Sequence, residues 1–441
     1  MQLHRGQKTA LNNLLGTIQI QAGRRIDLDD WGLFIAFRDQ ILQAPPWKNL
    51  IGEADFGQIL WSKIHEPLFS AAGVSNEFVG ALSDPALDEL RQAIDRNVTA
   101  ALEALPRFYD VYIPFGGFPE LGAARIEIST GVALVDAESD EELAERLSNL
   151  YPKSLVTLMS LGSDLQKAHI HSGVRTRYLH IQDSGFGNSS PDSPVVRAAL
   201  AKVKHFVAVG LQSGAIVEQG RWAAKWDDKA DAERTKAVVL AADTAQGHRI
   251  DMPVDLMAYF HGLRLDESQL KIHEPGLSLL GGGERAPSTP EEMAAAIKQS
   301  FARATEFLGL HRDERDAGRI RAAMEWQIDA AATNNESIAF LQRCIALEAL
   351  LGSEESQRSV SERLSDRYAY LLGQTESQRD TLRKRFREMY GHRSEIVHGR
   401  AGRLSEDHSR ASSSATVMLK SVLEKETGNL LRSLRRGLTV G

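Results

Sequence analysis

Residues 277–292 read "LSLLGGGERAPSTPEE". Three glycines, two prolines and a set of polar residues leave no hydrophobic period across this stretch, so neither a helix nor a strand is expected to run through it. The glycines lack the Lys-Ser/Thr of a phosphate-binding loop, and the stretch reads as a linker. At its end, Ser288-Thr289-Pro290-Glu291 has the form of a helix start, a capping hydroxyl followed by proline at the first helical position. The texture differs on the two sides. That difference predicts two domains, residues 1–285 and 290–441, and an α+β fold class: a mixed α/β N-terminal domain followed by an all-α C-terminal bundle.

On the C-terminal side, helices are expected at 290–309, 316–332, 335–352, 357–372, 377–390 and about 405–436. Within 335–352, Ile338, Leu341, Ile345, Glu348 and Leu351 fall near one stripe that is apolar except for the glutamate. The short connections imply an antiparallel bundle. On the N-terminal side, "LSDPALDELRQAIDRNVTAALEAL" reads as a helix with Asp84 as cap and Pro85 at its first position. "FYDVYIPF" and "AARIEISTGVALVDA" alternate and are β-branched, with Gly116-Gly117 as turn signal, which predicts strands. "SDEELAERLSNLY" returns to helix with Ser139 and Glu142 in capping-box spacing. "TRYLHIQD" is a further strand, and "VVRAALAKVKHFVAVGL" a further helix. Trp31, Trp47 and Trp61 are expected to fill a core.

Composition bounds the function. With 42% hydrophobic and 25% charged residues over 441 positions, the chain can bury a full core. No run approaches a membrane span, and the opening "MQLHRGQKTALNNLLG" lacks the apolar centre of a secretory signal. The single cysteine, Cys344, excludes a disulfide framework and a cysteine-rich zinc site. It reads as a small core residue in a cytoplasmic protein. A net charge of −7 argues against indiscriminate coating of nucleic acid. Charge is nevertheless uneven: between Arg379 and Arg400 stand seven basic residues and three acidic ones. This run is either a solvated helix face or a local contact for RNA.

The run contains "FREMYGHRSEIVHGR", residues 386–400, in which Arg393 and His398 are five apart. The spacing recurs at Arg175–His180 and Arg403–His408. The first of these lies in a strand, where residues an odd number apart face opposite ways. The second has Glu406 and Asp407 beside the histidine, which would oppose a phosphate. On an unbroken helix Arg393 and His398 would stand about 140° apart. A break at Gly391, acting as the residue that ends the 377–390 helix, is therefore expected, with Ser394 capping a new start. Arg393 would then flank a helix N-terminus suited to an anion. A second subunit could complete the site.

"LQRCIALEALLG", a basic helix ending in Tyr390, and then "RSEIVHG" resemble the Apea-like branch of the HEPN superfamily, over roughly residues 315–435. The resemblance implies an all-α bundle acting as a homodimer and a metal-independent endoribonuclease with no cofactor, no metal and no DNA substrate. It implies catalytic roles for Arg393 and His398. The histidine would take the proton of a ribose 2′-hydroxyl, and the arginine would hold the phosphate and stabilise the transition state. The products would be a 2′,3′-cyclic phosphate and a 5′-hydroxyl. Ser394 stands where many catalytic members carry Asn, Asp or His; serine is common in the Apea-like branch. Ser394 and Glu348 are the supporting residues, and Arg385, Arg387 and Arg400 the expected RNA contacts. Proteins of this arrangement serve in antiviral defence or as toxins in growth arrest, with the N-terminal domain as sensor or restraint.

Several readings stay open. Glu348 either orients Arg393 or His398, or makes a structural ion pair with any nearby arginine. His392 is either an RNA contact or a helix-end histidine facing water. Of His169, His171 and His180, two alternating histidines could bind a metal from one strand face, but no third ligand is evident from spacing. The competing function is a non-catalytic HEPN module that binds a nucleotide or a partner protein. No constellation supports a separate enzyme in the N-terminal domain.

Overall fold

Helices in the computed structural model begin where the sequence supplies a side-chain acceptor for the first unpaired N–H groups. The structure describes the chain apart from residues 1, 46, 71–76, 78, 116–123, 137–142, 144–176, 189, 219–235, 243–246, 275–282, 311–314, 353–358, 399–405 and 439–441. The expected helix at "SDEELAERLSNLY", the Gly116-Gly117 turn, His169, His171, Arg175, Arg400 and Arg403 lie outside the described residues. The chain divides into two compact units. One comprises residues 1–111, 182–198 and 239–248, the other 112–181, 199–238 and 249–441.

In the first unit, helix α1 (Arg5–Leu15) opens with His4 and Gln7 in a reciprocal capping box. Strands β1 (Ile18–Gln21) and β2 (Arg25–Leu28) form an antiparallel hairpin, and its tight turn uses Gly23 and Arg24 at positive φ. Sheet order is β2-β1-β3, with β3 at Gly80–Ala81. Helices α2 (Trp31–Leu42), α3 (Glu53–Ser70) and α4 (Asp88–Glu103) complete the unit. Leu11, Leu14, Phe37, Phe56, Ile64, Val98 and Leu102 are among the buried residues of one apolar cluster. Asp84 caps a 3-10 turn at Pro85–Leu87 rather than α4 itself, which follows directly.

The three tryptophans behave differently from one another. Trp47 is buried, and its indole N–H donates to the Leu102 carbonyl at 2.9 Å, which satisfies its one polar atom. Trp61 is half-buried and stacks on Phe34. Trp31 is 56% exposed, which corrects the expectation that it fills the core. As the first residue of α2 it sits on the entry turn and meets Phe34 and Trp61 only edge-on.

Strand β4 (Arg107–Pro114) and the hairpin β5 (Arg125–Ser129) and β6 (Val132–Asp136) lie where alternation places them. With β7 (Arg177–Gly185), β9 (Lys236–Ala241) and β10 (Gly247–Asp251) they make a six-stranded sheet of order β10-β9-β4-β7-β6-β5. β6 pairs antiparallel with both β5 and β7. Two small antiparallel pairs join β8 (Ile216–Glu218) to β11 (Leu263–Leu265) and β12 (Ile272–Glu274) to β13 (Gly283–Arg285). Between strands run α5 (Pro194–Ser213) and α6 (Val254–His261).

From Pro290 onward the described elements are helices. They are α7 (Pro290–Ser300), α8 (Ala302–Leu308), α9 (Arg315–Ala332), α10 (Glu336–Leu351), α11 (Val360–Leu372), α12 (Glu376–Val397) and α13 (Glu406–Leu438). Thr289, Asn335, Ser359 and Thr375 cap α7, α10, α11 and α12. Arg285 pairs with Glu292 in the first turn of α7 and, as the largest cause, holds that carboxyl well below the usual carboxylate range. The molecule is thus mixed, with antiparallel sheets in its N-terminal part and helices at its C-terminus, compatible with α+β. No described helix is long and apolar enough to cross a membrane.

Helix α10 packs on α9, α12 and α13. Its buried face is Phe340, Cys344, Leu347 and Leu351, joined by Ala339, Ala346 and Leu350. Of the expected stripe only Leu351 is on that face; Ile338, Leu341, Ile345 and Glu348 lie beside it, Ile338 being 49% and Ile345 36% exposed. Both stripes have helical period, so periodicity alone does not choose between them. Leu347→Ala is expected to destabilise the protein by about 2–5 kcal/mol, whereas Ile345→Ala stays within about 0.5 kcal/mol, as measured by chemical unfolding.

Candidate functional site

The candidate site gathers at the C-terminal half of α12. Phe386, Met389 and Tyr390 form its buried face, with Phe386 stacked on Tyr390 at 5.9 Å and against Tyr368 at 5.3 Å. Those anchors set the rotation of the helix and so decide which way the later residues project.

The helix does not break at Gly391. α12 runs on to Val397, and Gly391 lies within it, without the positive φ expected of a helix-ending glycine. Ser394 is an exposed residue in the last turn of the helix, not a cap, and its carbonyl accepts from the backbone N–H of His398 at 3.0 Å. Arg393 therefore flanks no new helix start at Ser394. The packing of Phe386, Met389 and Tyr390 outweighs the roughly 1 kcal/mol that glycine costs inside a helix. His398 is the C-terminal cap residue, at φ −87° and ψ 9°. The helix end there presents carbonyls, which disfavour anions.

Arg393 is held from two sides. Its guanidinium lies 3.3 Å from Glu348 Oε1 and sits over the Tyr390 ring at 5.7 Å. The Tyr390 hydroxyl donates to the same Glu348 oxygen at 2.8 Å. Burial, then the hydrogen bond and charge of Glu348, push the Tyr390 phenol above its ordinary pKa, so it remains a donor. Glu348, on α10, thus pairs with Arg393 and not with His398. About 30% of each partner's side chain is exposed, so the pair keeps an edge toward water. Arg has five N–H donors, and an ion pair through one nitrogen leaves others for a phosphate. His398 is exposed, and its imidazole makes no hydrogen bond among the described residues. On one regular helix the Arg393 and His398 directions differ by about 140°.

The basic run is divided between scaffold and solvent. Arg379 donates to the Gly373 carbonyl, Arg383 pairs with Asp366 and Asp380, and Arg387 Nε donates to Ser365 Oγ at 3.1 Å. These three arginines are spaced by four and pin α12 to the α11 region. Arg385 is exposed, with no hydrogen bond or ion pair among the described residues. Arg387 and His392 also share the five-residue spacing, a pair passed over in the sequence reading. His392 does not simply face water: its Nδ1 is 3.0 Å from Glu395 Oε2, and its ring meets that of His408, 5.1 Å away. His408 Nε2 is 3.3 Å from the same Glu395 oxygen. The contact joins α12 to the first turn of α13 and could be found only in space. His180, on β7, is buried with Nδ1 2.8 Å from the Arg125 guanidinium.

A cleft of about 810 Å³ opens elsewhere in the helical region, lined by Arg303, Leu372, Lys425, Arg432 and Arg435 among others. Neither Arg393 nor His398 lines it. Cys344, one turn before Glu348 on α10, is fully buried, and burial first, then the Glu348 charge, pushes its thiol up to about 12.

Comparison of the chain with protein-family models, curated proteins and solved structures finds no match.

Two outcomes test this geometry. Gly391→Ala is expected to raise stability by about 0.5–1 kcal/mol, because no atom lies within 4 Å of the added Cβ and the backbone is helical. A fall in the thermal midpoint would instead indicate a left-handed helix stop. Cys344 is expected to resist an aromatic disulfide reagent at neutral pH and to react with one equivalent after denaturation, since the thiolate is the reactive species.

Proposed function

We propose that the chain is a metal-independent endoribonuclease of the HEPN type, acting as a homodimer through its C-terminal helices. One observation carries the reading. Arg393 is anchored by Glu348 and Tyr390 while its outer edge stays accessible, and the His398 imidazole, which makes no hydrogen bond among the described residues, lies exposed at the end of the same helix. In the proposed reaction the His398 imidazole takes the 2′-hydroxyl proton of the ribose. The oxygen attacks the adjacent phosphorus, the bond to the 5′-oxygen breaks and that oxygen leaves with a proton from water, while Arg393 stabilises the charge on the phosphoryl oxygens. The chain ends become a 2′,3′-cyclic phosphate and a 5′-hydroxyl. A role in antiviral defence or growth arrest, in the cytoplasm, belongs to the same proposal.

The 140° divergence bears on how many subunits are needed. One helix directs its arginine and histidine to different sides, so a single copy does not present both to one phosphate. Two copies related by a two-fold axis can, because isologous pairing sets identical patches face to face. Ile338 and Ile345 on the open side of α10, and Val397 on the last turn of α12, are apolar and exposed. Pairing through these helices would cover them.

Purified protein incubated with total RNA in buffer without Mg²⁺ is expected to generate new ends carrying cyclic phosphates, and to leave DNA intact. Arg393→Ala and His398→Ala, each with parental circular dichroism and oligomeric state, are expected to cut about 10²–10⁴-fold more slowly. Parental cleavage by either variant would refute the assignment, and so would a strict Mg²⁺ requirement.

A second reading has a specific observation of its own. The cleft has the size of a small-ligand site and a mainly basic lining, Arg303, Lys425, Arg432 and Arg435 with Glu424, Arg435 being paired to Glu306. A non-catalytic module that binds a nucleotide would use it. Tight nucleotide binding with no RNA cleavage would favour that reading.

A further inference from the structure

We infer that His392, Glu395 and His408 form a binding site for a zinc-class divalent cation, distinct from the nuclease chemistry proposed above. The three groups belong to two helices. His392 and Glu395 are three apart on α12 and share a face, while His408 lies in the first turn of α13. One carboxylate oxygen, Glu395 Oε2, stands 3.0 Å from His392 Nδ1 and 3.3 Å from His408 Nε2. The three ligand atoms all lie within 4.8 Å of one another. Zinc bonds of about 2.0–2.2 Å in tetrahedral geometry place ligand atoms roughly 3.3–3.5 Å apart. Two of the three spacings are already near this value, and the two histidine nitrogens, no more than 4.8 Å apart, would close by rotation of the part-exposed His392 side chain.

The donor set selects the ion. Two imidazoles and one carboxylate suit zinc, cobalt or nickel, whereas magnesium and calcium prefer oxygen donors. The site is closed on one side and open on the other: the His408 side chain is 10% exposed, that of His392 28% and that of Glu395 49%. Three protein ligands with an open edge leave a fourth position for water. Bound metal would replace two hydrogen-bond-length contacts with coordinate bonds and tie the last turns of α12 to the start of α13. Neither Arg393 nor His398 belongs to the ligand set, so the ion acts on the helix ends that carry them and takes no part in proton transfer.

The test uses full-length protein without a histidine tag, stripped with chelator and desalted, and titrated with Zn²⁺ against a chromophoric competitor. One equivalent of zinc is expected to bind. His392→Ala, His408→Ala and Glu395→Gln should each weaken uptake by at least about tenfold, while His398→Ala binds as the parent does. Cobalt substitution should give visible ligand-field bands that the same three variants lose. Glu395 is half exposed, so Glu395→Gln reads the site even where a histidine variant folds poorly. Absence of stoichiometric uptake, or uptake unchanged in the three variants, would overturn the inference. So would loss of binding in His398→Ala.

Discussion

A half-buried carboxylate needs partners, and Glu348 takes two from the neighbouring helix, the Tyr390 hydroxyl and the Arg393 guanidinium. Hydrogen bonds to a charged group contribute about 1.5–3 kcal/mol each, and removing one partner from such a set costs more than the set adds. The interaction therefore reinforces the rotation that the buried Phe386, Met389 and Tyr390 give α12. It leaves Arg393 at the surface but not loose, since the guanidinium is braced by an acid on one side and an aromatic face on the other. Pre-placement of this kind suits a group that must meet developing negative charge without reorganising. The contact observed is the structural ion pair of Glu348 with Arg393; an orienting role for it belongs to the proposed reaction.

Continuity of α12 is the second constraint. A helix interrupted at Gly391 would give Arg393 an anion-attracting N-terminus. The unbroken helix gives His398 a carbonyl-rich end instead and turns it away from Arg393. Electrostatic help for a phosphate must then come from side chains, and the proposed chemistry comes to depend on a second subunit. The exposed apolar residues Ile338, Ile345 and Val397 fall on the two helices that such pairing would use.

The basic run left a solvated helix face and a local RNA contact both open, and three of its arginines are scaffold. Arg379, Arg383 and Arg387 satisfy carbonyls, carboxylates and a hydroxyl around α11. Arg385 is the exposed arginine without such an engagement among the described residues, and few phosphates would be neutralised at once. With a net charge of −7, any RNA contact would be local and only modestly salt-dependent.

What was legible from residues alone was whatever is encoded within a few positions. The capping hydroxyl before Pro290, the alternation of "AARIEISTGVALVDA" and the period of 335–352 are local, and the corresponding elements stand where they were expected. The hairpin β1–β2 went unread because it is short and its turn relies on Arg24 in a left-handed conformation. Choices among equally periodic faces were settled by packing: Leu347 inside, Ile345 outside, Trp47 buried and Trp31 open. Glycine 391 is a weak local stop, and the buried aromatic face before it carried the helix through. The pairing of Glu348 with Arg393, and of His392 and Glu395 with His408, joins helices distant along the chain. Such contacts follow from where side chains meet in space, which spacing in one dimension does not determine.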